Sequence, residues 1–317
     1  MKLLSTLALA AALALPAAAQ AQTLTVYTAG PANLAKTLSE GFEKLSGSKV
    51  NVFQGTTGQV MARLAAEKSN PQADVLISAS WDTAVDLKAR GELLAFDAPN
   101  AAAVPANLKD SHYVAQGAAA LAIVWNSKSG KPRPVDWADL AKADYKDAVT
   151  MPDPASSGAA FGLVSGLTKS GTGWKVFEDL KANNMIVPGA NAQALNPVMQ
   201  GAKAAVMGAA DYIALDAKAN GESVEVIYPA SGTVLEARPA MIFKTTKNEA
   251  AAKAFINYML SDEGQKLVAD TYLLPSRADV AAKRPGYKDI KLMEVADATP
   301  QQRADILARF KTTLGLK

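Results

Sequence analysis

Leu24-Thr25-Val26-Tyr27-Thr28-Ala29-Gly30-Pro31 opens the pattern that decides the fold of this chain. A short β-favouring run ends in a turn of small and hydroxyl residues. Leu34, Leu38, Phe42 and Leu45 then recur at the spacing of one buried helical face, and Gly47 stops them. The same unit follows twice more. Val50-Asn51-Val52-Phe53 runs into Gln54-Gly55-Thr56-Thr57-Gly58 and a helix over about 59–68. Asp74-Val75-Leu76-Ile77 runs into Ser78-Ala79-Ser80-Trp81 and a helix over 82–89. Strand–helix alternation with connections this short predicts an α/β fold, a parallel sheet with helices on both faces. In open sheets of that kind, ligands bind beyond the carboxyl ends of the strands. Thr28, Ala29, Thr56, Thr57, Ser78 and Ser80 are therefore expected along one binding edge. The plainer use of such hydroxyls is to cap the helices they precede.

Working outward, a strongly apolar strand over 118–125 opens what reads as a second lobe, beginning near Gln116. A short helix is expected over 136–143. Met151-Pro152-Asp153-Pro154-Ala155-Ser156-Ser157-Gly158-Ala159 then leads into a helical run to Leu167. A helix N-terminus leaves unsatisfied N–H groups and roughly half a positive charge, so it suits an anion. Ser156, Ser157, Gly158 and Ala159 are the second lobe's candidates for that role. Further on, the pattern predicts a helix over 174–182, a strand over 185–187, a helix over 191–200 and a buried strand over 204–209. That strand ends in Ala210-Asp211-Tyr212 at a helix start, and a strand over 224–228 follows. Arg238 to Phe243 reads as a return strand, with helices over 249–260, 262–271 and 300–314 behind it. Crossings near 114–117 and 230–238 would form a hinge. The expected division is 22–115 with 235–317 as lobe 1, and 116–234 as lobe 2.

Residues 1–21 read as a secretory signal: Lys2, an apolar run from Leu3 to Leu15, and Ala19-Gln20-Ala21 as the cleavage site. Cleavage after Ala21 would leave 296 of the 317 residues, a length that suits two lobes. There is no cysteine, so neither a disulfide nor a lipid-modified cysteine is expected, and the exported chain would not be lipid-anchored. With 32 basic and 30 acidic residues after cleavage, the charge is nearly balanced. That balance argues against nucleic acid or a membrane surface as partner. His112 is the single histidine, which disfavours transition-metal sites.

The order and spacing of several segments resemble bacterial solute-binding proteins of ABC importers. They are Leu24-Thr25-Val26-Tyr27-Thr28, Gly41-Phe42-Glu43-Lys44-Leu45-Ser46-Gly47, Ala73-Asp74-Val75-Leu76-Ile77-Ser78 and Arg90-Gly91-Glu92-Leu93-Leu94. Ile227-Tyr228-Pro229, Ala251-Ala252-Lys253-Ala254-Phe255 and Leu260-Ser261-Asp262-Glu263-Gly264-Gln265 continue the likeness. The resemblance implies two Rossmann-like lobes joined by a two-strand hinge (periplasmic binding protein-like II). It also implies a periplasmic location, a membrane permease as partner, a monomer, and no cofactor or catalysis. The chain is most similar to the ferric-iron, phosphonate and sugar-phosphate subgroup, with a front half similar to molybdate-binding proteins. Ferric members present two adjacent tyrosines; here the matching pair is Asp211-Tyr212, leaving Tyr212 alone as a ferric ligand.

The expected function is capture of a small oxyanion-bearing solute: a phosphonate, a phosphate ester or a simple oxyanion. Asp211 would hold an amine on a zwitterionic solute, and Tyr212 would donate to the anion or stack on it. Trp81 and Arg238 are secondary candidates, as a cleft wall and an anion partner. The alternatives are a ferric-iron binder, a polyamine or thiamine binder and, from a different class, an exported serine hydrolase using Ser156 or Ser157. The hydrolase reading lacks a Gly-x-Ser-x-Gly elbow.

Overall fold

The computed structural model describes residues 23–170, 173–285, 287–293 and 298–316. The expected signal segment, 1–21, lies outside them. β1 (Thr23–Thr28), α1 (Ala32–Ser46), β2 (Lys49–Gln54), α2 (Thr57–Ala66), β3 (Val75–Ile77) and α3 (Trp81–Ala89) form the three predicted strand–helix units. The strands are parallel in the order β2-β1-β3, with Val26 opposite both Val52 and Val75.

β4 (Tyr113–Asn126) is buried along all its 14 residues. β5 (Val149–Thr150), α4 (Gly158–Lys169), α5 (Lys175–Ala182), α6 (Asn191–Met199), β6 (Ala205–Ala210), α7 (Asp211–Ala219) and β7 (Val224–Ile227) follow. β8 (Leu235–Ile242) returns, and α8 (Glu249–Met259), α9 (Asp262–Asp270), β9 (Leu274–Pro275) and α10 (Pro300–Leu314) complete the chain.

Two strands cross between the lobes. β8 lies antiparallel between β3 and β4, while the second half of β4 pairs with β6 and β7. The β4–β8 register slips between Ala115 and Ala118, which leaves Gln116 and Gly117 out of step. A bulge of this kind orphans backbone groups that something must satisfy. Gln265, fully buried, donates to the Gln116 carbonyl at 2.9 Å and accepts from the Ser276 amide at 2.8 Å. Gly117 is required there, because a Cβ would stand 2.7 Å from the Leu274 carbonyl oxygen.

Each lobe has its own core. Leu24, Val26, Phe42, Val75, Phe255 and Ile256 anchor one, and Leu121, Trp137, Met151, Leu163, Phe177 and Met207 the other. The C-terminal helix departs from the expected division. α10 packs Phe310 and Leu314 into the second core, with Phe310 edge-on to Phe177 at 5.5 Å. The expected helix over 136–143 is instead a pair of 3-10 turns, Trp137–Ala141 and Ala143–Tyr145. The expected strand over 185–187 is reduced to one bridge, Ile186 to Thr150, because Pro188 and Gly189 end the extended run at once.

Candidate functional site

A cleft of about 270 Å³ lies where the strand ends of lobe 1 face helix starts of lobe 2. Lobe 1 contributes Ala29 and Gly30, the turn from Gln54 to Thr57 with Gln59, and Ala79. Lobe 2 contributes Ser156 and Ser157, the stretch from Ala190 to Gln193, and Tyr212 with Ile213. Arg238 reaches in from the crossing strand β8. A larger groove, about 530 Å³, lies between α2, α3 and the end of β8, away from the strand ends.

The lobes touch at the cleft rim. Gly58 N–H donates to the Ser156 carbonyl at 3.3 Å, and Gly158 N–H to Thr57 Oγ1 at 3.4 Å. Thr56 caps α2 in a reciprocal box with Gln59. Three predicted lobe 1 hydroxyls are turned to structural work instead. Thr28 Oγ1 is buried and accepts from the Gly30 amide at 2.9 Å. Ser78 Oγ is buried between Thr83 Oγ1 and the Ser80 amide, both at 3.1 Å. Ser80 is buried beneath Gly158. Trp81 does not wall the cleft; its ring packs edge-on to Tyr113 at 5.0 Å.

Ser157 is the N-cap of α4. Its hydroxyl accepts from the Ala160 amide at 3.2 Å and from Asn191 Nδ2 at 2.9 Å, so its own proton remains to be donated. Ser156 donates to Asp153 Oδ2 at 3.2 Å. Gly158 and Ala159 are buried behind these two. The α6 start is a contributor that sequence reasoning missed. Its N-cap, Ala190, offers no side-chain bond, and its first turn holds no acidic residue. The α6 amides therefore meet the cleft with neither a cap nor a counter-charge. The available signal was Pro188-Gly189 before the helical run, a turn followed by a helix with no capping side chain.

Arg238 is 1% exposed, and its one described hydrogen bond runs from Nη2 to the Ala29 carbonyl. Its Nε is buried without a hydrogen-bond partner, and its guanidinium stands 5.8 Å from the Tyr212 ring centroid. Burial pushes the guanidinium down from its ordinary value, while the Tyr212 and Glu236 side chains oppose the shift. Burial pushes the Tyr212 phenol up, against the attraction of Arg238, so it is a donor at neutral pH. Among the described cleft-lining residues, Arg238 carries the one formal charge.

Asp211, expected to face the solute, is not among the residues that line the cleft. It is fully buried, and its Oδ2 is held by Arg284 at 2.5 Å, by Tyr228 OH at 3.1 Å and by the Ala120 amide at 3.2 Å. Burial pushes its carboxyl up, and Arg284 opposes that. No group of three or more His, Asp or Glu side chains among the described residues gathers in a way that would hold a metal ion. His112 bonds Ser111 Oγ at 2.8 Å and lies outside the cleft lining, so Ser156 and Ser157 have no histidine base.

Two α/β lobes crossed by two strands, with a polar cleft between them, form a type II periplasmic-binding-protein fold. The chain belongs to the bacterial extracellular solute-binding proteins, whose family model matches residues 70–297. A putative 2-aminoethylphosphonate-binding periplasmic protein of Salmonella typhimurium is 29% identical over 261 residues, 78% of this chain and 76% of its own. The fructose-6-phosphate-bound periplasmic binding protein AfuA of Actinobacillus pleuropneumoniae superposes with a TM-score of 0.86 at 20% identity. That match covers 94% of this chain and all of AfuA. Iron-bound HitA of Pseudomonas aeruginosa superposes at 0.80 and 20% identity, covering 92% and 99%.

Proposed function

We propose that this chain is the periplasmic substrate-binding component of an ABC importer and captures a small oxyanion-bearing solute. Phosphonates and phosphate esters are the ligand class. The observation that carries this reading is Arg238: a buried guanidinium with an unpartnered Nε, lining the same cleft as the uncapped start of α6. An anion there gains charge-assisted hydrogen bonds that neither group makes within the protein. Ser157, Thr56, Thr57 and Tyr212 supply further donors. The relative described as a putative 2-aminoethylphosphonate-binding protein and the fructose-6-phosphate-bound structural neighbour support the same class.

Export would proceed by removal of residues 1–21, leaving a monomer with no lipid anchor. The solute binds one lobe and the other closes over it, β4 and β8 flexing at the Gln116–Gly117 bulge. The closed form then docks on a membrane permease. Closure is favoured only by as much as the solute binds the closed form better.

A thermal-shift screen against phosphate, phosphonates, hexose phosphates, ferric iron, thiamine and polyamines tests this. A ligand at 100 times its Kd adds about 2.7 kcal/mol of stability. Stabilisation by iron alone, or by thiamine or polyamines alone, overturns the anion reading. Arg238→Gln should weaken the stabilising anion by roughly 10- to 100-fold, the worth of one charge-assisted bond; unchanged calorimetric affinity would remove Arg238 from the site.

A further inference from the structure

We infer that the cleft selects a solute with one anionic head and an uncharged, hydroxyl-bearing body, and discriminates against a zwitterion that couples its anion to an ammonium. This rests on the anion reading above and narrows it. An ammonium offers three donors and no acceptor, and in a desolvated site its charge needs a carboxylate. Among the described cleft-lining residues there is none. Two carboxylates stand behind the lining: Asp211 is paired through Oδ2 with Arg284, both side chains at 0% exposure, with Oδ1 left without a partner, and Asp153 accepts from Ser156 Oγ at 3.2 Å. The charge that does face the cleft, on Arg238, repels a second cation.

The remaining lining suits hydroxyls. Gln54, Gln59, Asn191 and Gln193 bring amide side chains, each with a donor and an acceptor, which is what a hydroxyl needs on both sides. Asn191 is the most specific of them. Its Nδ2 is committed to Ser157 Oγ at 2.9 Å, and its Oδ1 is buried with no partner. A buried, unpaired acceptor is costly, so a solute hydroxyl that donates to it recovers that cost on binding. A bare oxyanion leaves it unpaired. The cleft, at about 270 Å³, also exceeds what a bare head group fills.

Isothermal titration of the full mature chain with 2-hydroxyethylphosphonate, 2-aminoethylphosphonate and propylphosphonate separates the terms, since the three differ only in a terminal hydroxyl, ammonium or methyl. The hydroxyl compound is expected to bind at least tenfold tighter than the ammonium compound, and tighter than the methyl one. Equal or tighter binding of 2-aminoethylphosphonate overturns the inference while leaving the anion reading standing. If none of the three binds, and neither inorganic phosphate nor a hexose phosphate does, the anion reading falls and the inference falls with it.

Discussion

Asp211 and Arg238 exchange the roles their positions in the chain would assign. Asp211 stands at a strand end, beside a tyrosine, where a ligand group is expected; it turns inward to Arg284, a residue 73 positions further along. Arg238 stands on a hinge strand, where a surface ion pair would be ordinary; it is buried, lines the cleft and keeps an Nε without a partner. Neither outcome is legible locally, because each depends on which distant charge the fold delivers. The Asp211–Arg284 pair is dry, and removing one partner of such a pair leaves an uncompensated charge. Arg284→Met should therefore cost roughly 3–5 kcal/mol of stability, measured by urea denaturation. Adding Asp211→Leu should restore most of that loss; a double variant no more stable than the single one would show that the cost lies in packing instead. The pair also fixes the N-terminus of α7, which carries Tyr212 into the cleft.

The helices meet the site by their N-termini, and their caps differ in use. Ser157→Ala should lower stability by about 1 kcal/mol, the usual worth of an N-cap, and also weaken anion binding, since the same hydroxyl holds Asn191 and retains a free proton. At the α6 start, proline at the first helical position keeps the helix but deletes one amide donor. Ala190 is extended, as the residue before a proline must be. Asn191→Pro should thus weaken anion binding more than Asn191→Ala does, and equal losses in calorimetry would show that the backbone amide is idle. Away from the cleft, the Lys142 ammonium, with help from the Val135 and Asp136 amides, holds the Asp139 carboxyl below the ordinary aspartate value. The folded pKa is then below the unfolded one, so this stabilisation is present above about pH 4 and lost as pH falls through the folded value. Asp139→Asn should be less stable than wild type at pH 7, with the gap closing under acid; a gap constant from pH 7 to pH 3 would contradict this. Of these elements the α2 and α4 caps were readable, because Thr56-Thr57 follows the β2 run closely and Ser156-Ser157 stands between the Pro152-Asp153-Pro154 turn and a helical run. The α6 start was readable at the right residue, Asn191, but its place at the cleft was not, because no capping hydroxyl marks it beside the others.

At the scale of the whole molecule, the two lobes meet through glycine. A Cβ on Gly158 would lie 2.7 Å from Ser80 Cβ and 3.1 Å from the Ala79 backbone, so only glycine permits this approach. Gly158→Ala should leave folding intact, since alanine suits a first helical turn, yet hold the lobes apart and weaken solute binding several-fold. X-ray scattering of the solute-saturated variant should give a larger radius of gyration than wild type; equal radii would show that closure tolerates the methyl. The sequence alone determined the alternation of β1 to β3 with their helices, hence the parallel sheet and the edge that its turns share. Local periodicity and short connections permit little else. The tertiary structure alone decided which residues on that edge line the cleft. It buried Thr28, Ser78 and Ser80 in turn hydrogen bonds, sent Asp211 to Arg284, placed α10 on the second lobe, and brought Arg238 and Asn191 to one cleft. The physical reason is that a polar side chain's role is set by the partners that burial supplies, and those partners come from elements far apart in the chain.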